Sequence, residues 1–219
     1  MGINKKWIVN CYNKDFSWIK NYTRNYIIYD KSCTLEENER VVHQKNVGYN
    51  IYDYMNYIVE NYDNLPGVCV FLKANAFKHC KKETFDKLII HPFFTPIEDY
   101  SHVPESAWHK KAPDGGYMEL NNSWYITSHK QTYGSEVNKY IFNYNDLLDE
   151  LFENPEHPLW IRFAPGGQYI VKKQNLLYYS KNFYEKLVGL VDYHQIPAEA
   201  HIIERMLYYI FTNKWKEAT

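Results

Sequence analysis

Apolar and polar positions change period several times along the first half of the chain. Trp7-Ile8-Val9-Asn10-Cys11, Tyr26-Ile27-Ile28-Tyr29 and Val68-Cys69-Val70-Phe71-Leu72 are short, nearly continuous apolar runs, the pattern of strands buried on both faces. Between them, Phe16 to Tyr22 predicts a short helix. Ile51, Met55, Ile58, Val59 and Tyr62 then recur at helical spacing until Asn64-Leu65-Pro66-Gly67 stops the helix. The order is βαβαβ, which implies parallel strands joined by right-handed crossovers.

From about His91 to Tyr133, Pro, Gly, His and aromatic residues follow one another without a clear period, as in a functional loop region or an inserted subdomain. Order resumes with a helix near Asn145 to Phe152. Strands at Trp160-Ile161-Arg162-Phe163 and Gln168-Tyr169-Ile170-Val171 flank Pro165-Gly166-Gly167, and helices follow from Lys181 to Leu190 and from Pro197 to Phe211. With no internal repeat or low-complexity linker, the pattern predicts a single α/β domain over residues 1–219. Its central sheet is expected to be mostly parallel, Rossmann-like and flanked by helices.

Composition narrows the partners. A net charge of -1 over 219 residues gives no field that would gather nucleic acid or an anionic membrane. No apolar stretch is long enough to span a bilayer, and the start, MGINKKWIVN, lacks an apolar leader core, so a soluble cytoplasmic protein is expected. Cys11, Cys33, Cys69 and Cys80 have no CxxC spacing, and Cys11 and Cys69 lie in apolar runs as buried free thiols would. The 22 tyrosines accompany abundant Asn, Lys and Ile, a bias that AT-rich codons produce, although 18% aromatic residues also suits stacking on sugars or bases.

Three strand ends carry polar residues: Tyr12-Asn13-Lys14-Asp15, Asp30-Lys31-Ser32 and the segment from Lys73 to His79. In a parallel sheet these ends surround one crevice, and the layout suits a nucleotide. Asp30 either binds a ribose or base edge or begins a turn, and Asp15 caps the next helix. The helix start after Asn46-Val47-Gly48 is a place for a diphosphate. In the last helix Ile202, Ile203, Met206, Leu207 and Ile210 form a stripe, and Glu199 falls on it one turn earlier, pointing inward. Glu204 lies off that stripe, toward solvent or Arg162.

Asp114 and Glu119 are further acids in the irregular region, where Trp108, Trp124, Tyr125 and Trp160 offer flat faces for a sugar ring or for local packing. His91, His102, His109, His129 and His157 show no zinc spacing, and no GxSxG or Walker A string occurs.

Asn46-Val47-Gly48, Tyr62-Asp63-Asn64-Leu65-Pro66-Gly67-Val68, Val70-Phe71-Leu72 and Phe77-Lys78-His79 together resemble an uncharacterised family with fungal, bacterial and large-virus members. Its members read approximately NVGRE, YDxLPD and VFLQGxPFDH. Gln168-Tyr169-Ile170-Val171, Glu204-Arg205 and Ile210-Phe211 match its QFxVS, ER and IF ending, so the likeness touches both ends of the chain and leaves the middle unmatched. The architecture of that family looks like nucleotide-sugar glycosyltransferases of the GT-A type, which include a chlorella-virus transferase domain.

The resemblance implies a nucleotide-binding half over 1–90 and an acceptor-binding half over 91–219. It also implies a DxD motif after the Val68–Leu72 strand, holding Mn²⁺ or Mg²⁺ against the donor diphosphate. Here that place reads Lys73-Ala74-Asn75-Ala76, without a carboxylate, and the family's Arg after NVG is Tyr49. Either Asn75 ligates a metal with His79, or Lys73 or Lys78 meets the diphosphate directly. By the same resemblance Glu199 is the expected general base, with Asp114 and Glu204 in reserve. Tyr12, Asn13, Asp30, Asn46, Gly48, Lys73 and Asn75 are the expected donor contacts, and Trp124, Arg162 and Gln168 the acceptor contacts.

The expected function is transfer of a sugar from a nucleotide-sugar donor, UDP-linked, to a saccharide hydroxyl. A non-catalytic nucleotide- or carbohydrate-binding module with a degenerate DxD site is the alternative. A hydrolase pairing Asp114 with Glu199 is a third reading, and it requires the two carboxylates to lie within several ångströms of each other.

Overall fold

The computed structural model describes residues 4–100 and 105–218, so His102 lies outside the described residues. Its strands in chain order are β1 (Lys5–Cys11), β2 (Tyr26–Asp30), β3 (Val41–His43), β4 (Val68–Lys73), β5 (Thr95–Pro96), β6 (His109–Lys111), β7 (Tyr117–Leu120), β8 (Trp160–Arg162) and β9 (Tyr169–Lys172). The α-helices are α1 (Tyr49–Glu60), α2 (Lys82–Leu88), α3 (Trp124–Tyr133), α4 (Tyr144–Leu151), α5 (Lys173–Leu176), α6 (Lys181–Val191) and α7 (Ala198–Phe211). Six strands form one sheet in the order β3-β2-β1-β4-β9-β5, and β6-β7-β8 form a separate antiparallel sheet.

The first four strands of the large sheet are parallel, while β9 runs antiparallel between β4 and β5. This is the mostly parallel α/β sheet that the apolar runs predict. Side chains alternate across it. Val68, Val70 and Leu72 join Trp7, Val9 and Ile28 on the face covered by α2 and the 3₁₀ turn Ser17–Asn21. Cys69 and Phe71 join Ile8 and Tyr29 on the face covered by α1, α6 and α7. The Phe71 ring lies 5.6 Å from Phe211 and 5.1 Å from Tyr54, which ties α7 and α1 to the strand.

By the same alternation Lys73 and its register partner Asn10 emerge on the α1 and α7 face, one residue past the core. Because β9 and β5 come from the second half of the chain and complete the sheet of the first, the molecule is one domain.

Several expectations need correction. The helix expected over Phe16 to Tyr22 is a single 3₁₀ turn, begun where the Asp15 carboxylate accepts from the Ser17 amide and hydroxyl. The stretch without period contains β5, β6, β7 and α3. Its strands have two to four residues, too few to establish an alternation, and α3 buries only Tyr125 and Ile126, so no apolar stripe marks it. The strands on either side of Pro165-Gly166-Gly167 go to different sheets, and the turn carries Gly166 at φ 94° and Gly167 at φ 65°. All four cysteines are free, with Cys11, Cys69 and Cys80 buried. Among the described residues no helix is long and apolar enough to cross a membrane.

Gly48 opens α1 at φ 63°, and a Cβ there would lie 2.8 Å from Tyr52 Cβ and 2.9 Å from Val191 Cγ2. Both the dihedral and the packing require glycine. Gly48→Ala is expected to cost about 1–3 kcal/mol, measured as a lower urea midpoint with an unchanged slope.

Candidate functional site

The chain runs outward from β1 to β2 and β3, then returns through α1 to β4 on the other side of β1. At such a reversal the connections leaving the carboxyl ends diverge, and a crevice opens between them. Here a cleft of about 220 Å³ lies at that point, walled by Tyr12, Asn46, Asn50, Lys73 and Gln195 among others. Tyr12 and Lys73 thus meet as the strand ends predict, and Asn46, expected at the helix start, joins them.

Lys73 is the chemically unusual member. Its ammonium makes no hydrogen bond or ion pair among the described residues, and burial pushes it below the ordinary lysine value while Glu204 pulls the other way. Behind it stands Glu204, whose Oε1 accepts from the Gly166 amide at 2.5 Å. The Oε2 atom lies 3.6 Å from His201 Nδ1 and 4.0 Å from Arg205 Nη1. Burial would raise this carboxyl, but His201, Arg205 and Lys73 outweigh it and hold it down at about 2.

The Gly166-Gly167 turn brings this group together. A Cβ at Gly166 would lie 2.8 Å from the His79 ring, and one at Gly167 would lie 3.1 Å from Asn50 Nδ2, so only glycine lets the turn pass between them. Burial and the nearby Lys73 charge push His79 down to about 4. Gln168, an expected acceptor contact, is fully buried instead. It accepts from the Lys73 amide and donates to the Ala76 carbonyl, both at 3.3 Å, and so pins the loop that carries Asn75. Asn75 is half-buried at the start of the 3₁₀ turn Ala76–Lys78, and Lys78 is exposed.

A second buried charge group closes the other wall. Lys31 Nζ lies 3.3 Å from Asp53 Oδ1 and donates to the carbonyls of Val47 and Tyr49, while Asn10 donates to Asp53 Oδ2 at 2.5 Å. Burial raises Asp53 and lowers Lys31, and each partner's charge opposes the shift. Sequence reasoning missed Asp53. Its signal is an acid four residues from Tyr49 and from Tyr57 on a helix buried along most of its surface.

Other expected residues lie in different environments. Both Asp30 oxygens are engaged: Ser32 amide and hydroxyl bond to Oδ1, and the Thr34 and Leu35 amides to Oδ2. Burial opposes its ionisation, yet these donors lower its pKa, so Asp30 has the turn role rather than a free edge for ribose. The Gly48 and Tyr49 amides donate to the carbonyls of His194 and Gln195 and are not open to a diphosphate. Asn13 is exposed at φ 48°.

Arg162 is held by Glu98, by Asp114 at 3.1 and 3.2 Å, and by the Phe163 carbonyl, so Glu204 faces Lys73 and His201 rather than solvent or Arg162. Trp124 is half-exposed beside a different cavity, with Trp108. Among the described residues, no three His, Cys, Asp or Glu side chains gather as a metal-holding group. A hard divalent ion needs several oxygen ligands, and the end of β4 sets the Lys73 cation beside Asn75 and His79 instead, so this donor set does not fit Mn²⁺ or Mg²⁺.

Residues 8–218 match the family described as protein of unknown function (DUF3431). The chain belongs to the DUF3431 family. The match includes the middle of the chain as well as its ends. No curated protein and no solved structure matches it.

In this DUF3431 chain Glu199 is fully buried at the first turn of α7. Its Oε1 accepts from the Lys139 and Tyr140 amides at 2.7 Å, and its Oε2 from the Tyr193 hydroxyl at 2.5 Å. The carboxylate staples the loop before α4 to the start of α7. Glu199→Gln sets an amide NH₂ against one of these donors, so a stability loss of about 1–3 kcal/mol is expected in urea unfolding, with ligand affinity at the crevice unchanged.

His79 gives the pH prediction. Its folded pKa is depressed, so its contribution to stability is complete above the unfolded value of 6.5 and is lost as pH falls through about 4. Stability measured across that window should fall less in His79→Gln than in the parent. The difference between the two curves cancels other titrations, including that of Asp53, whose raised pKa acts in the opposite direction.

Proposed function

We propose that this chain transfers a sugar from a nucleotide-sugar donor, UDP-linked, to a saccharide hydroxyl, with the donor diphosphate against Lys73. The observation that carries the reading is a half-buried ammonium at the switch-point crevice, without a hydrogen-bond or ion-pair partner among the described residues and with the ionised Glu204 carboxylate nearby. An unpaired buried cation is costly unless an anion meets it, and a diphosphate supplies that anion. The GT-A resemblance of the strand-end motifs supports the same ligand class.

In this reading Lys73 stabilises the charge that develops on the departing diphosphate, the part a metal takes in DxD enzymes. Tyr12 offers its half-exposed ring to the base, and the amides of Asn46 and Asn50 serve the ribose edge. Glu204, rather than Glu199, is the carboxylate that takes the acceptor hydroxyl's proton. At about 2 it is a weak base in the free protein. A bound diphosphate engages Lys73 and adds negative charge nearby, and both changes raise its basicity.

The same crevice without turnover is a binding module, a reading favoured by the fact that Asp30 and Glu199 are saturated by protein donors. Glu204→Gln separates the two. The transferase reading expects retained donor binding and a loss of roughly 10²–10⁴-fold in turnover, whereas a binding module has no turnover to lose.

The direct test is thermal shift against UDP, GDP and their sugars without added metal. A ligand at about 100 times its Kd should add ~2.7 kcal/mol of stability, and no shift with any of them removes the proposal. Lys73→Met should leave the free protein as stable or more stable, because it removes a half-buried charge that has no hydrogen-bond or ion-pair partner among the described residues. It should weaken nucleotide binding by about tenfold or more.

A further inference from the structure

On the far side of Arg205 lies a second cavity of about 430 Å³, walled by Trp108, His109, Tyr117, Glu119 and Trp124. Its volume falls within the range of ligand pockets, roughly 300–1,000 Å³. Trp108 is 55% exposed and Trp124 48%, so two indole faces are available without rearrangement. Glu119 is buried in the wall and fixed in place. It accepts from Arg205 Nε at 2.7 Å and Nη2 at 3.1 Å, and the Tyr117 hydroxyl reaches Oε2 at 3.4 Å.

We propose that this cavity is a saccharide subsite that takes a sugar ring of the acceptor; the word acceptor rests on the transferase reading, while the saccharide chemistry does not. A pyranose has an apolar C–H face that lies flat on an indole and hydroxyls at its edge that reach the half-buried His109 and Tyr117 side chains. Other occupants fit less well. A purely apolar ligand would take the half-buried His109 imidazole out of water without replacing its hydrogen bonds. A cationic ligand would meet the Arg205 guanidinium, which already lies 3.8 Å from the Tyr125 ring centre and 6.0 Å from that of Trp124. Arg205 is also 4.0 Å from Glu204, so one side chain links the floor of this cavity to the carboxylate beside Lys73.

The test is a titration of tryptophan fluorescence with cellotriose, chitotriose and mannotriose, without nucleotide, alongside the apolar dye anilinonaphthalene sulfonate. Saturable quenching by at least one trisaccharide with a Kd of about 1 mM or tighter is expected. It should weaken about two- to tenfold in Trp108→Ala and in Trp124→Ala, and recover in Trp108→Phe. Both indoles are half-exposed, so the melting temperature of each variant checks that the fold is intact. Quenching by none of the sugars, binding of the dye alone, or sugar binding indifferent to both substitutions overturns the subsite. Sugar binding without any nucleotide shift upholds the subsite and removes the transferase reading, while a nucleotide shift without sugar binding does the reverse.

Discussion

Lys31 is the cation on which the crevice depends. From the end of β2 it reaches under the first turn of α1, bonds to the Val47 and Tyr49 carbonyls and pairs with Asp53, which Asn10 of β1 also holds. Two strands and a helix meet at one buried ion pair. Taking either partner away would leave a buried charge uncompensated, which typically costs about 3–5 kcal/mol. Its neighbour across the crevice, Lys73, is half-buried at the same sheet edge and has no such partner among the described residues. The contrast is why the proposed reading puts the anion at Lys73: Lys31 is paired within the protein, whereas Lys73 has only the field of Glu204.

The large elements were legible because their patterns are long or extreme. β1, β2 and β4 are apolar runs, and α1, α6 and α7 keep helical spacing over three or more turns. β3, with three residues, and β6 and β7, with one partly wet face, give no period to detect. The site was legible to the extent that strand ends converge by topology. That reasoning brought Tyr12 and Lys73 together, but it was silent on what each polar group already touches. Asp30 illustrates the limit. Its position at the end of β2 is as expected, yet four donors within the next five residues saturate it.

The carboxylates of α7 show the same limit in a sharper form. A helical wheel puts Glu199 on the buried stripe, and it is fully buried. Burial alone could not reveal that the amides waiting for it belong to a loop some sixty residues earlier in the chain. Glu204 falls off the stripe, which on an ordinary surface helix means solvent. But α7 buries Ala200, Arg205 and Tyr209 as well as its apolar stripe, so the side away from the core stripe meets the Gly166-Gly167 turn and His201 instead of water.

Consecutive residues on an α-helix point about 100° apart and rise about 1.5 Å. Glu204 and Arg205 use that step to face different charges, Glu204 toward Lys73 and His201 and Arg205 toward Glu119 and the Tyr125 ring. Loops set neither direction. The spacing of these two charges is therefore a property of α7 itself, clamped to the sheet at Phe211 and to the loop before α4 at Glu199. Any displacement of this helix moves both charges together, so neither the contact with Glu119 nor the approach to Lys73 changes without the other.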